Sequence, residues 1–299
     1  MVSCVHTRPT APLLLILILL HLPAVSLFAE RDSWQVERYV NWSEAALYVT
    51  VTAPLPTSGR NLPAAEHAVR REIEQEIARL FHTALQQLRV DSSTLVSMHA
   101  EQHPETAAAL LSAVSEPRMI GVRRSSDMRS VEVDYRVELF PTIVQTLVTH
   151  TEPRPLPRVA SWVPTRRYSG VLIFARGELP VHGEHVAAEL QPALLPVVYD
   201  SNLRRVLSHE MLAGDTARSR GVVRYVSDIE DPLVVEVAGP DPLRITASGV
   251  FGRHRSDIMI PASAADLLLY GEHNSALLRQ ARIVVIISEA RIEERQTPD

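Results

Sequence analysis

The chain has no lysine; all 30 of its basic residues are arginine. Without an ε-amino group, a phosphate loop built on Gly-Lys-Ser/Thr is excluded, and so is Schiff-base or pyridoxal chemistry. Cysteine is almost as scarce. The single thiol, Cys4, precedes the apolar run Leu13–Leu20, whereas a lipoprotein acylates a Cys that follows such a run. Everything beyond residue 4 therefore lacks both disulfides and a thiol nucleophile. No Gly-x-Ser-x-Gly elbow and no Gly-x-Gly-x-x-Gly fingerprint occurs, so neither a serine-hydrolase turn nor a dinucleotide loop is written here. A formal charge of −5 provides no basic field for nucleic acid. No cofactor is expected.

What is present begins with residues 1–29, which read as a secretory signal peptide. Arg8 supplies a positive start, Leu13–Leu20 an eight-residue apolar core, and Pro23 ends the helix before the small residues Ala24, Ser26 and Ala29. That core is well short of the roughly 20 residues needed to cross a bilayer, which argues for cleavage after Ala29 or Ser26. Membrane contact is expected at most through an uncleaved signal segment. Export of a disulfide-free chain with a sizeable core points to a bacterial periplasm.

At 299 residues the length suits about two domains. The first, 30–150, opens with two strand patterns, Trp34–Trp42 and Ala46–Ala53, joined at Ser43-Glu44. Their apolar residues alternate, with Arg38 interrupting, so one face is buried. Trp34 and Trp42 share that face, where cross-strand packing outweighs a ligand platform. The spacing then predicts an amphipathic helix from Pro63 to Leu88, with the stripe Ala65, Val69, Ile73, Ile77, Leu80, Phe81, Ala84, Leu88. A second helix is predicted near 104–114. Ser130–Phe140 is a strand, its outward row Glu132, Asp134, Arg136 and Glu138 expected to pair with Arg123, Arg124 or Arg129. Ile120-Gly-Val122 is its hairpin partner, and Phe140–Val148 a short closing helix.

Residues 151–159 hold three prolines and form the linker. The second domain, 160–290, starts on Val171–Ala175, a continuous apolar run that predicts a strand buried on both faces. Leu194–Tyr199, Asp257–Ile260 and Arg282–Ser288 are further strands. Pro232–Gly239 and Leu243–Gly249 read as a hairpin across a Pro-Asp-Pro turn. Pro261 begins a helix interrupted at Gly271. The charged tail, 291–299, is expected to fray. The fold class is α+β, two domains of helices on mainly antiparallel sheets after a signal peptide.

One polar cluster invites a metal test. His182, Glu184 and His185 resemble a zinc-binding run, with His209 or Glu210 as a third ligand. The two histidines stand three apart instead of four, and Gly183 weakens a helix, so loop residues are the expected reading. The acids Asp228, Glu230 and Asp231 are expected to be a solvated turn.

Tyr168-Ser-Gly-Val-Leu-Ile-Phe-Ala-Arg-Gly177, followed by Gln191–Asp200, Asp257–Asp266 and Ala281–Ile287, resembles a recurring pattern in bacterial periplasmic proteins of the flagellar assembly protein T-like group and related envelope lipoproteins. Tyr168, Gly170, Ala175, Arg176, Gly177, Pro192, Pro196 and Asp257 carry it. Where that group has an acid before Ala-Arg-Gly, this chain has Phe174. The resemblance implies a non-enzymatic envelope component associated with the flagellar motor, which contacts other envelope or motor proteins or assembles with itself. The alternatives are a periplasmic metal-dependent hydrolase and a ligand-binding module using the cleft between domains.

Overall fold

A computed structural model describes residues 34–56, 61–160, 162–289 and 293–296, the last four through their backbone alone. The signal-peptide reading of 1–29 and Cys4 lie outside the described residues. From Trp34 onward the chain forms one unit.

Strands β1 (Gln35–Asn41) and β2 (Ala46–Pro54) make the first hairpin. Its turn is held by the Asn41 carboxamide oxygen, which accepts from the Ser43 hydroxyl at 2.9 Å and the Glu44 amide at 3.0 Å. Helix α1 (Leu62–Gln86) starts with Pro63 in its first turn, where a missing N–H costs nothing. Every residue of the stripe from Ala65 to Leu88 is buried. Each large member contributes about 2 kcal/mol by leaving water. Helix α2 (Val96–Gln102) was not evident from periodicity, because only Val96 of its seven residues is buried. Helix α3 (Pro104–Ala113) follows. The second hairpin, β3 (Arg118–Arg124) and β4 (Ser130–Glu138), leads into a kinked turn at Leu139–Ile143 and then α4 (Val144–Leu147).

After an extended, irregular Pro-rich stretch come β5 (Val171–Phe174), β6 (Glu178–Pro180), β7 (Ala187–Glu189), β8 (Val198–Asp200) and β9 (Arg205–Leu207). Helix α5 (Gly214–Arg220), β10 (Arg224–Val226), α6 (Pro232–Ala238), β11 (Leu243–Thr246), β12 (Gly249–Phe251) and β13 (Asp257–Ile260) continue the chain. Helices α7 (Ala262–Leu269) and α8 (Glu272–Arg279), broken at Gly271, precede β14 (Ile283–Ile286) and β15 (Glu293–Gln296).

The second half holds a parallel sheet, β10-β14-β5-β11, and a mixed sheet, β12-β13-β8-β9. In the parallel sheet β5 and β14 are interior. Val171, Ile173, Ile283 and Val285 enter the main core, whereas Leu172, Val284 and Ile286 pack under α6 with Val234 and Ala238. Both faces are covered, which is why these strands read as unbroken apolar runs.

Two expectations are corrected. Residues 232–238 form a helix, not the first strand of a hairpin. The β-branched run Val234-Val235 suggested a strand, but the punctuation is helical. Pro232 occupies the first turn, the Asp231 carboxylate accepts from the Leu233 amide at 2.9 Å, and Gly239 leaves the helix at φ +75°. Asp231→Ala is expected to lower stability by about 1 kcal/mol in urea unfolding, whereas substitution of the neighbouring exposed Glu230 should leave it unchanged. The second correction concerns the tail. Residues 293–296 do not fray; as β15 they pair antiparallel with β1, so the first sheet runs β15-β1-β2-β4-β3.

One apolar core runs through both halves, from Leu47, Ile73, Phe81 and Val133 to Ile173, Val206, Ile258 and Val285. The seam is also stitched by backbone. The loop after α1 offers the Arg89, Val90 and Ser92 carbonyls to the amides of Leu194, Leu195 and His254 at 2.9, 2.7 and 2.8 Å. The Ser92 hydroxyl donates to buried Asp257 at 2.6 Å, and Gly252 (φ +85°) lies so close that a Cβ there would overlap the Ser92 side chain.

Candidate interaction surface

The sequence nominated His182, Glu184 and His185, and the structure places them in the β6–β7 hairpin. Gly183 turns the chain at φ +83°, the His182 ring meets Phe251 edge-on at 5.8 Å, and Glu184 is ion-paired with Arg255 at 2.7 Å. His185 is exposed. The turn does not present these side chains on one helix face, and no three His, Cys, Asp or Glu among the described residues are grouped to hold a metal. His209 and Glu210, weighed as a third ligand, instead line a separate cavity of about 280 Å3 with His150, Glu152 and Arg154. Burial pushes the His209 imidazole below its usual value, and Arg154 binds Glu210 at 2.9 Å. Asp228 accepts from the Glu230 amide at 3.1 Å, closing the acidic turn on itself.

The motif residues serve packing and turns. The Arg166 guanidinium covers the Tyr168 ring at 4.8 Å from its centroid. Gly170 lies against the Ala238 backbone, leaving no room for a Cβ. Ala175, Pro192 and Pro196 are buried, and Arg176 is exposed. Gly177 turns at φ +73° and donates its amide to the Ser288 hydroxyl at 3.2 Å. Asp257, 2% exposed, accepts from Ser92 and, at 2.9 Å, from the Val197 amide. Burial pushes its carboxyl up to about 6.

The polar surface with defined geometry lies elsewhere, on the outer face of the five-stranded sheet. Strand register arranges its side chains in rows. Tyr39, Tyr48, Arg136 and Arg118 stand opposite one another across β1, β2, β4 and β3. The next row is Glu37, Thr50, Asp134 and Gly121, and the next Gln35, Thr52, Glu132 and Arg123. The two tyrosines stack at 4.8 Å with 5° between ring planes, and Arg136 caps the Tyr48 ring at 5.7 Å. Burial, together with donation to Glu44, raises the Tyr48 phenol above its usual range. Thr50 donates to Asp134 at 2.8 Å, and Arg123 bridges Glu132 and Asp134, the second at 3.0 Å. That ion pairing holds the Arg123 guanidinium firmly charged. A hollow of about 490 Å3 lies over these rows, bounded by Tyr39, Tyr48, Ile120 and Arg123.

The expected pairing of the outward acids of β4 with Arg123 is thus present. The Tyr39–Tyr48 stack was missed, although it could have been found from the odd positions of β1 once the turn at Ser43-Glu44 fixed the register. The aromatic pair singled out instead, Trp34 and Trp42, faces inward. Trp42, 2% exposed, meets Tyr225 of the second half edge-on at 5.7 Å.

Residues 33–146 match the N-terminal domain of Treponema pallidum Tp0624, and residues 170–289 match the second domain of the same protein. The two matched segments follow one another in this chain as the N-terminal and second domains of Tp0624. No curated protein matches it. The first Tp0624 domain here contains β1–β4 with α1–α3 and the outer-face rows, and the second contains β5–β14. The Pro-rich stretch falls between the two matches, and β15 lies beyond both. These matches name Tp0624 and not the flagellar assembly protein T-like group.

Proposed function

We propose that the protein is a non-enzymatic structural or assembly component of the bacterial cell envelope, exported to the periplasm and acting through protein–protein contacts. The observation that carries this reading is the distribution of exposed apolar side chains. Met119, Ile120, Val122 and Met128 are four of nine large ones exposed among the described residues, and all four belong to the β3–β4 hairpin. Such clustering marks a contact surface, whereas apolar residues scattered singly do not. The two matches to domains of a bacterial protein and the exclusions drawn from the absent lysine and thiols support the same reading. Its narrower form, association with the flagellar motor, rests on the pattern from Tyr168 to Gly177.

The test is crosslinking in the native envelope followed by mass spectrometry. Because the chain has no lysine, amine-reactive reagents can reach it only at an α-amino group, and a carboxylate-reactive dihydrazide or a photo-reactive residue is the suitable choice. Recovery of motor or peptidoglycan-associated proteins is the expected result. Recovery of the folded chain with no envelope partner would overturn the proposal.

A further inference from the structure

The five-stranded sheet has two edges, and they are treated differently. At one edge β15 pairs with β1, so the chain covers its own strand. At the other, β3 pairs with β4 on one side and, among the described residues, with no strand on the opposite side. An open edge is a row of backbone donors and acceptors that accepts a further strand. We infer that β3 is a docking edge for an extended segment of a partner protein, one that alternates acidic and apolar residues. The inference rests on the contact-surface reading and names where and how that contact is made.

The side chains of β3 state what such a strand must look like. Residues 118–124 contain three arginines and no acid. Register places Arg118 and Arg123 on the outer face, beside Arg136 and Glu132, and Met119 and Val122 on the inner face, beside Tyr135 and Val133. Met119 is 40% and Val122 37% exposed, because α1 covers the middle of the sheet more fully than this margin. An added strand would therefore set apolar side chains against Met119 and Val122, and acidic ones beside Arg118 and Arg123. Arg123 and Arg124 already hold acids of this chain, Glu132 with Asp134 and Glu66 respectively. Arg118 has no ion-pair partner among the described residues, and its neighbour across the strand is another arginine.

The same charges argue against a second copy as the occupant. Two copies of β3 side by side would bring three arginines from each strand, and no acid from either, to one margin, and like charges placed together are destabilising. The bulge at Ile120 further disfavours flat edge-to-edge association. These features repel self-pairing yet leave attraction to an acidic strand intact, which is how specificity is obtained by rejecting the wrong partner.

Ile120 provides the sharpest probe. It falls in the register shift and has no partner on β4, so proline there removes a backbone donor at least cost to the β3–β4 ladder. The experiment uses the whole chain and two synthetic seven-residue peptides, one alternating valine with glutamate and one alternating valine with arginine. Binding is read by fluorescence anisotropy and by hydrogen exchange of the β3 amides. The glutamate peptide is expected to bind at least ten-fold tighter than the arginine peptide and to slow exchange in β3. Arg118→Glu, an exposed change whose folding is checked by thermal unfolding, should abolish that preference, and Ile120→Pro should abolish binding. Equal binding of both peptides, protection elsewhere than β3, or a photo-crosslink from position 120 to a second copy would overturn the inference. Should envelope crosslinks of the whole chain persist undiminished in Arg118→Glu and Ile120→Pro, the envelope reading stands and β3 is not its contact.

Discussion

Gly252→Val is expected to destabilise the protein by about 4 kcal/mol and to lower its unfolding midpoint by roughly 10 °C. Two independent costs combine. At φ +85° a β-branched residue is strained, and its Cβ would overlap the Ser92 side chain. Ser92 cannot retreat freely, because its carbonyl accepts from His254, its hydroxyl donates to Asp257, and the preceding Arg89 and Val90 carbonyls hold Leu194 and Leu195. The strain must therefore spread along the seam between the two halves. Thermal unfolding gives the magnitude, and hydrogen exchange gives the location, since an opened seam should speed exchange of the Leu194, Leu195 and His254 amides. Ser92→Gly, which removes the overlapped atoms, should restore part of the loss in the double variant. A midpoint within about 1 °C of the parent protein would show that the seam is looser than described.

The second large effect is a pH dependence. Asp257 is buried where its carboxyl rises to about 6 from an ordinary 3.8, burial being the principal cause, with Asp91 adding to it. Hydrogen bonds from Ser92 and Val197, and the charge of Arg205, offset only part of that. Between those two values the folded chain keeps a proton that the unfolded chain releases. Stability contributed by this group is therefore highest at acidic pH and declines as pH rises from about 4 to 6, by roughly 3 kcal/mol at about 1.4 kcal/mol per pH unit. Asp257→Asn keeps the shape and removes the titration. Urea unfolding at pH 4.5 and 7.5 should show a smaller difference in the variant than in the parent, with the variant at least as stable at pH 7.5. Identical pH profiles would disprove the assignment.

Most of the first sheet and its long helix were legible because each element has one buried face and therefore one clear period. Val131, Val133, Tyr135 and Val137 alternate with charges, and the stripe from Ala65 to Leu88 repeats every third or fourth residue. In the second half, strands such as Val198–Asp200 and Arg224–Val226 are three residues long, too short to establish a period. The helix 232–238 was misread because β-branched composition outweighed the Asp-Pro start and Gly end. The Tyr39–Tyr48 stack and the Ser92–Asp257 bond depend on strand register and on contacts across 165 residues, which local pattern does not encode. His182, Glu184 and His185 were conspicuous only by residue type, and Glu184 proves to be engaged with Arg255.

The pairing of β15 with β1 also sets an order of events during synthesis. Residues 35–41 leave the ribosome early, and their outer partner, 293–296, emerges only after the second half has been made. Contacts so distant in the chain form late, since a long loop must close before they repay it. Throughout that interval β1 is an uncovered strand beside an already assembled hairpin. A nascent chain interrupted before residue 293 would keep it so, and would carry an adhesive edge that the finished protein hides.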